Sequence, residues 1–132
     1  MKGALYIKEV QGKGRGVFSS APIVAGDIVE SCKMVVFNPE DYDLSTASFL
    51  INYSFFIDRD RNIVGLASGF GSLYNHAAPA NATHKIYKGD NRVDIVALRD
   101  IANDEEICIN YLGAFDDTST SWFDNRGLKY HP

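Results

Sequence analysis

Short apolar runs separated by tight polar turns dominate the chain. Where apolar and polar residues alternate, or β-branched and aromatic residues cluster between turn formers, the pattern predicts strands. These strands and hairpins are expected at residues 5–10, 28–36, 55–64, 83–98 and 107–111. One helix is expected from Asn38, an N-cap residue followed by a proline, to Tyr53. Because strands and helices do not alternate, the pattern predicts a mostly-β fold and not a doubly wound parallel sheet.

Three glycines at alternate positions, Gly12, Gly14 and Gly16, separate the first strand from the β-forming residues Val17 and Phe18. Backbone N–H groups in such a loop can crowd around an anionic group. The alternative is a plain hairpin turn, which the spacing alone favours. A dinucleotide-binding or P-loop fingerprint is not indicated, because both need a helix directly after the glycines.

Two stretches have the residue types of a binding site. Residues 69–76 form a glycine-loosened segment that ends in the neighbouring polar side chains Asn75 and His76. In the stretch 104–111, a period of two places Tyr111 on one strand face with two isoleucines. A tyrosine at the end of such a face is held rigidly and can direct its hydroxyl into a pocket, although an ordinary core tyrosine is the alternative. We interpret the two stretches as the walls of one site.

The adjacent carboxylates Glu105 and Glu106 could be taken as an acid–base pair, but neighbouring strand residues face opposite ways. We therefore assign both to the turn before the last strand and its neighbours. A similar turn precedes the strand at 28–36, and an isoleucine stands before each turn, Ile23 in one and Ile101 in the other. The two strand–turn–strand units are interpreted as related building blocks and not as a solenoid repeat.

Composition narrows the class of protein. A chain of 132 residues, 45% hydrophobic and 23% charged, is expected to form one soluble domain with its own core. No apolar run approaches 18 residues, so no membrane span is expected. The N-terminus lacks a secretory apolar region, which favours the cytoplasm, or a host cell's interior or nucleus after delivery. A net charge of −4 with scattered Lys and Arg argues against nucleic-acid binding and weakly favours a basic partner.

The two cysteines, Cys32 and Cys108, stand far apart in the sequence and have no Cys-x-x-Cys partner. The histidines, His76, His84 and His131, show no ligand spacing to them, so no metal site is expected. Two reduced, buried, small apolar residues are the favoured interpretation.

Three motifs in order make the chain resemble the SET domain, the fold of lysine methyltransferases that use S-adenosylmethionine. Residues 14–18 are similar to the family's first cofactor-binding loop, and residues 71–81 to its Asn-His motif, which ends in Asn81. Residues 104–111 are similar to its acidic turn and catalytic tyrosine. The likeness runs from about residue 8 to residue 111 and is greatest to the short, stand-alone viral and bacterial members.

Three positions depart from the family pattern: Ala77 replaces a serine, Pro79 stands one position early, and Asp104 replaces a glycine. They remove no side chain that we assign to chemistry, but the loop at 77–81 can differ in shape. In the family, the segment with the acidic turn passes beneath the Asn-His loop, and such threading is rare. The resemblance thus implies a SET fold of small curved sheets with a pseudoknot and one or two short helices.

The resemblance also implies a division of the chain. The SET domain would cover residues 1–112, and the C-terminal segment 113–132 would cap the cofactor and substrate site. A frayed terminus is one interpretation of this segment; a lid is the other, since Trp122 and Phe123 are expensive to leave in water.

By the resemblance, Tyr111 is the catalytic tyrosine, with its hydroxyl near the transferring methyl group. An orienting and electrostatic role is expected, because a phenol with a pKa near 10 is seldom ionised at pH 7. Tyr53 would be the second catalytic aromatic and line the lysine channel, with a core residue on a helix face as the alternative. The residues implied to hold S-adenosylmethionine are Lys13, Gly14, Arg15, Tyr74, Asn75, His76, Tyr111 and Trp122.

Among these, Lys13 and Arg15 would match the donor's carboxylate end, and Trp122 would close over the adenine. The implied reaction is methyl transfer from S-adenosylmethionine to a lysine, with S-adenosylhomocysteine as product. The implied substrate is a basic protein or peptide such as a histone tail, and a homodimer is expected to complete the peptide groove. A non-catalytic SET-like peptide-binding or scaffold domain is the alternative, and a small-molecule or non-lysine methyltransferase on the same fold is a third.

Overall fold

The computed structural model describes residues 4–38, 53–58, 61 and 63–111. Nine strands lie in these residues. Their bounds are β1 Leu5–Val10, β2 Gly14–Ser19, β3 Ile28–Phe37, β4 Ser54–Asp58, β5 Ile63–Ala67, β6 Asn75–His76, β7 Ala82–Tyr87, β8 Arg92–Ala97 and β9 Glu106–Ile109. The predicted mostly-β fold is confirmed. The predicted helix from Asn38 to Tyr53, except for its first and last residues, and the predicted lid with Trp122 and Phe123 lie outside the described residues.

The first two strands form an antiparallel hairpin in which Val10 faces Gly14. Its three-residue turn needs left-handed backbone at Gly12, where φ is 81°, and the strand resumes at Gly14, where φ is 85°. Glycine adopts these angles without steric cost, which explains the alternating glycines. The hairpin interpretation of this stretch is therefore confirmed.

The strands form two sheets. The four-stranded sheet has the order β1-β2-β9-β6, and the five-stranded sheet has the order β4-β5-β3-β8-β7. The ten-residue strand β3 pairs with β8 along its first half and with β5 along its second half. The two predicted hairpins are confirmed as β4–β5 and β7–β8, and a short 3₁₀ helix, Lys88–Asp90, closes the second.

The two related turns pair with each other. The N–H group of Ile23 donates to the carbonyl of Ile101 and the N–H of Ile101 donates back, each over 2.8 Å. The second turn has left-handed backbone at Asp104, with φ at 63°, where the family pattern has glycine. The hydroxyl of Tyr6 donates to the Asp104 carboxylate and so tethers that turn to the first strand.

Strand β9 passes beneath the segment that follows β6. It pairs with β2 antiparallel and with β6 in parallel, and so lies between two strands that come earlier in the chain. Beyond β6, Asn81 bridges the backbone of β9: its amide donates to the carbonyl of Glu106, and its oxygen accepts from the N–H of Cys108, both over 2.8 Å. This is the threaded crossing that the resemblance implied.

One continuous core unites the two sheets. Val17 and Ile107 of the four-stranded sheet and Val93 and Ile95 of the five-stranded sheet are completely buried in it. Because β9 is covered on both faces, Cys108 is buried as well as the isoleucines beside it. In the described part of the chain, no helix has the length and apolar character needed to cross a membrane.

Candidate functional site

The two stretches predicted to wall one site meet through the parallel pairing of β6 with β9. In this register Asn75 lies opposite Cys108, and His76 lies opposite Ile109. The N–H group of Ala77 extends the pairing by donating to the carbonyl of Ile109 over 3.0 Å. The crossing therefore brings Asn75 and His76 beside the end of β9, where Tyr111 follows.

Tyr111 is held at both ends. Its backbone N–H donates to Nδ1 of His76 over 3.0 Å, and its hydroxyl donates to the carbonyl of Tyr74 over 2.6 Å. The His76 and Tyr111 rings also contact each other, with centroids 5.2 Å apart. A buried phenol fixed in this way can present its hydroxyl in only one direction.

The pKa of the Tyr111 phenol is raised from its ordinary value. Burial is the main cause, and the negative charge of the nearby Glu106 carboxylate adds to it. The phenol is therefore protonated at neutral pH. It can orient and polarise a reacting group, but it is not suited to act as a base.

Tyr53 lies immediately before β4, and its side chain is 37% exposed. Tyr53 therefore borders solvent, whereas Tyr111 is partly buried and packs against the core.

The loop residues reach the site through Asn75. The side-chain amide of Asn75 donates to the carbonyl of Arg15 over 2.6 Å, and it also donates to Oε2 of Glu106 over 2.6 Å. Lys13 reaches the other oxygen, Oε1, over 3.2 Å. The structure thus brings Lys13, Arg15 and Asn75 together, with Gly14 between the first two in the chain.

The carboxylate at the centre of these contacts, Glu106, was missed by the sequence analysis, which assigned it to the turn. Glu105 does remain in the turn, where it pairs with Arg99 and accepts from the N–H of Ala102. Glu106 faces the other way, into the site, with a side chain only 15% exposed. The signal that could have found it is Gly16, because a Cβ there would overlap the Glu106 carboxylate.

A second carboxylate, Glu30 of β3, was also missed. It accepts from the hydroxyl of Tyr74 over 2.7 Å and from the backbone N–H of Phe70 over 3.0 Å. Tyr74 is buried, and its carbonyl receives the Tyr111 hydroxyl. Glu30 therefore fixes the side chain of the residue whose backbone holds the Tyr111 phenol.

Cys32 and Cys108 are free and buried, as the sequence analysis expected. Among the residues that the structure describes, no group of three or more His, Cys, Asp and Glu side chains is arranged to hold a metal ion.

Comparison with known proteins bears on the same segment. A family model for the SET domain matches residues 14–112. The Schizosaccharomyces pombe histone-lysine N-methyltransferase specific for H3 lysine-37 is 32% identical over 112 residues, which cover 84% of this chain and 75% of that protein.

Two solved structures resemble the fold. A candidate histone methyltransferase of Plasmodium falciparum matches 93% of this chain and 99% of its own, with 29% identity and a TM-score of 0.70. The Chaetomium thermophilum Polycomb Repressive Complex 2, in an autoinhibited conformation bound to S-adenosylmethionine, matches 84% of this chain and 15% of its own, with 20% identity and a TM-score of 0.68. At that identity the second likeness concerns the fold alone.

Proposed function

The chain belongs to the SET-domain family, and on that premise we propose that it is a protein-lysine N-methyltransferase. It would transfer a methyl group from S-adenosylmethionine to a lysine side chain in a basic peptide such as a histone tail. The observation that carries the proposal is the convergence of Asn75, His76 and Tyr111 at the crossing of β6 and β9, joined by hydrogen bonds. The identity to the fission-yeast histone-lysine N-methyltransferase supports it.

The residues at this crossing fit the proposed donor. The donor's carboxylate matches the cation Lys13, and its cationic sulfonium matches backbone carbonyls such as those of Arg15 and Tyr74. The open hairpin turn at Gly12 and Gly14 allows close approach, because nothing lies within 4 Å of a Cβ built at either position. Lys13, Arg15, Asn75 and the Tyr74 carbonyl would hold the donor. When bound, it supplies an electrophilic methyl group and leaves as S-adenosylhomocysteine.

Tyr111 would act by alignment. Its hydroxyl proton is committed to the Tyr74 carbonyl, so its oxygen lone pairs are left to face the reacting centre. The raised pKa keeps that proton in place at neutral pH. A fixed oxygen dipole beside an in-line approach lowers the barrier by orientation and does not accept the lysine proton.

The acceptor lysine must be neutral to attack. Its pKa near 10.4 makes the neutral form cost about 4.6 kcal/mol at pH 7, and an apolar, aromatic entrance lowers that cost by desolvation. Tyr53 and Tyr111 would provide aromatic walls for this entrance and tolerate the cationic product. The lysine proton would leave to solvent before the C–N bond forms and the C–S bond breaks.

A labelled-donor assay against histones and a basic peptide panel tests the proposal. Tyr111→Phe is expected to lower turnover by about a hundredfold or more, because misplacement of a reacting group costs this much. Tyr87→Phe is the matched control, since Tyr87 is exposed near the β7–β8 hairpin turn and stacks on Arg92 away from the site. It is expected to keep wild-type turnover.

Undiminished turnover by Tyr111→Phe, in protein with an unchanged melting temperature, would refute the role of this residue. If calorimetry detects no binding of millimolar S-adenosylmethionine, the enzymatic proposal fails and the scaffold alternative remains. Mass spectrometry of the labelled acceptor identifies the methylated side chain and separates a lysine product from a small-molecule product.

A further inference from the structure

Glu106 joins three segments that the chain keeps far apart. Its Oε1 contacts Lys13 of the hairpin turn over 3.2 Å, and its Oε2 accepts from Asn75 of β6 over 2.6 Å. Its own backbone belongs to β9, and the missing side chain of Gly16 makes room for the carboxylate. No other described side chain contacts both the hairpin turn and the Asn75–His76 corner in this way.

Glu106 and the Arg15 carbonyl together determine which way the Asn75 amide faces. Both acceptors of the Asn75 side chain, the Arg15 carbonyl and the Glu106 carboxylate, lack a proton to donate, so the Asn75 nitrogen must lie toward them. The Asn75 carbonyl oxygen has no hydrogen bond to any residue that the structure describes. An acceptor of fixed orientation is therefore presented at the corner.

Low solvent exposure strengthens the contacts of Glu106 with Lys13 and Asn75. The Glu106 and Lys13 side chains are each 15% exposed, so the charges are only weakly screened by solvent. A buried carboxylate that loses a partner is left with an uncompensated charge, and hydrogen bonds to charged groups contribute about 1.5–3 kcal/mol each. Lys13 and Asn75 are thus held more firmly than a surface contact would hold them.

We propose that Glu106 is a positioning residue for the methyl donor: its single carboxylate fixes Lys13 and orients the Asn75 amide, so that the hairpin turn and the corner recognise the donor as one unit. This inference rests on the proposed function, since it concerns the same donor. Glu106 touches no reacting atom and acts through Lys13 and Asn75. Its neighbour Glu105, which faces the opposite side of the chain, has no part in this role.

Calorimetric titration with S-adenosylmethionine tests the proposal without requiring turnover. Glu106→Gln keeps the size of the side chain but removes the charge that pairs with Lys13, and it weakens the hydrogen bond from the Asn75 amide. The donor dissociation constant is expected to rise by about tenfold to a hundredfold. In steady-state assays the donor KM is expected to rise by a similar factor, while the peptide KM stays at the wild-type value.

Glu105→Gln is the matched control, because it makes the same chemical change one residue away on the other face. It is expected to bind S-adenosylmethionine with the wild-type dissociation constant. The melting temperatures of both variants are measured in parallel, so a general loss of folding is separated from a loss of donor affinity.

A double-mutant cycle sharpens the test. Lys13→Met removes the other half of the ion pair, and if Glu106 acts partly through Lys13, the double variant binds the donor better than the product of the two single effects predicts. Full additivity would mean that the two side chains act independently, and the proposed coupling would be wrong.

The outcomes are distinguishable from failure of the proposed function. If the wild-type protein binds the donor and Glu106→Gln binds it equally well, the positioning role is overturned while the methyltransferase proposal stands. If the wild-type protein does not bind the donor, the proposed function itself has failed. Should Glu106→Gln not fold, Glu106→Asp keeps the charge but withdraws the carboxylate from Lys13 and Asn75; unchanged donor affinity in that variant overturns the proposal.

Discussion

Two partly buried carboxylates, Glu30 and Glu106, hold two neighbouring residues of the chain. Glu30, on the five-stranded sheet, accepts from the Tyr74 hydroxyl, and Glu106, on the four-stranded sheet, accepts from the Asn75 amide. Each also lies where a glycine leaves room for it, since a Cβ at Gly69 would overlap Glu30 as one at Gly16 would overlap Glu106. The junction of the two sheets is thus fixed twice.

The two carboxylates differ in their partners. Glu106 has the cation Lys13, whereas no lysine or arginine forms an ion pair with Glu30 within the described ranges, and its partners are the Tyr74 hydroxyl and the Phe70 N–H. Glu30 therefore holds the side chain of Tyr74, whose carbonyl accepts from the Tyr111 hydroxyl. Glu106 lies against the hairpin turn, where a ligand can meet the same cation. We therefore expect Glu30 to contribute to stability and Glu106 to contribute to donor affinity.

A cysteine thiol lies near each carboxylate, and the charge of that carboxylate affects the pKa of the thiol. The pKa of Cys32 is raised to about 12, first by burial and then by the charge of Glu30. The pKa of Cys108 is raised to about 12, first by burial and then by the charge of Glu106, while Lys13 acts in the opposite direction. The reactivities of Cys32 and Cys108 can therefore be used to compare the surroundings of Glu30 and Glu106 within one molecule.

The largest expected effect is on thiol alkylation. At pH 8 the raised pKa values leave about a thousandfold less thiolate in the folded protein than in the unfolded chain, so iodoacetamide is expected to label both cysteines slowly. Glu106→Gln is expected to raise the labelling rate of Cys108 relative to that of Cys32. Mass spectrometry of the two cysteine peptides measures both rates in one sample.

Labelling in concentrated urea is the reference, where the two peptides are expected to react at similar rates. Labelling of Cys108 in the folded wild-type protein at the rate seen in urea would contradict the buried cluster. An equal increase at both cysteines in Glu106→Gln would show that the variant opens the whole domain, and the local effect would then be absent.

The next effect comes from filling the two glycine positions. Gly16→Ala forces the Glu106 carboxylate away from Asn75 and is expected to destabilise the fold by about 2 kcal/mol and to weaken donor binding by about tenfold. Gly69→Ala overlaps Glu30 and adds the cost of a left-handed backbone, since φ there is 62°. It is expected to destabilise similarly but to leave donor binding unchanged.

Urea denaturation and calorimetric titration with S-adenosylmethionine, made on both variants, check this pair of outcomes. Equal weakening of donor binding in Gly69→Ala and Gly16→Ala would contradict the division between stability and donor affinity, because the contacts of Glu30 and Glu106 would then act together. Wild-type donor affinity in Gly16→Ala would contradict the expected role of Glu106 in donor binding.

The sequence predicted more of the fold than of the site. Strand β3 and the hairpins could be predicted because each depends on local alternation and on turn residues such as Asn91, which immediately precedes β8. The two site stretches were interpreted as walls of one site from their residue types, and the resemblance added the crossing that joins them. Their meeting is confirmed by the pairing of Asn75 with Cys108. Such pairing joins residues far apart in sequence, so no local pattern determines it.

The role of Glu106 could not be predicted from alternation. A period of two says that Glu105 and Glu106 face opposite ways, but it says nothing about what covers each face of β9. Ile107, Cys108 and Ile109 are all buried, so both faces of that strand are covered. The sequence analysis expected Lys13 to meet the donor's carboxylate, and it did not foresee that this cation is already paired with Glu106.

A smaller effect is expected at Glu30. A glutamine at this position has one acceptor oxygen for two donors, the Tyr74 hydroxyl and the Phe70 N–H, so one contact is lost. Glu30→Gln is expected to lower the free energy of unfolding by about 1 kcal/mol, measured by urea denaturation. Donor affinity is expected to stay at the wild-type value, the reverse of Glu106→Gln. A tenfold loss of donor affinity in Glu30→Gln would contradict the division between stability and binding.

The smallest effect is expected at Glu105, where an ion pair can be measured without burial. Glu105 has a cation partner, as Glu106 does, but its side chain is 34% exposed and that of Arg99 is 55% exposed. The pKa of Glu105 is lowered, first by its hydrogen bond with Arg99 and further by the N–H of Ala102. Because the folded-state pKa lies below the unfolded value of 4.5, the stabilisation is complete above pH 4.5 and is lost as the pH falls through the folded-state value.

Solvent screening limits this contribution to about 0.5 kcal/mol. The difference in unfolding free energy between the wild-type protein and Glu105→Gln is therefore expected to be small at pH 7 and to shrink as the pH falls below 4.5. It is also expected to shrink in 1 M salt, because an exposed pair is screened within about 3 Å there. A difference that grows on acidification would contradict the sign of the pKa change. A contribution several times larger would mean that pairing alone, without burial, can hold a carboxylate as firmly as Glu106 is held, and the contrast between the two neighbouring glutamates would lose its physical basis.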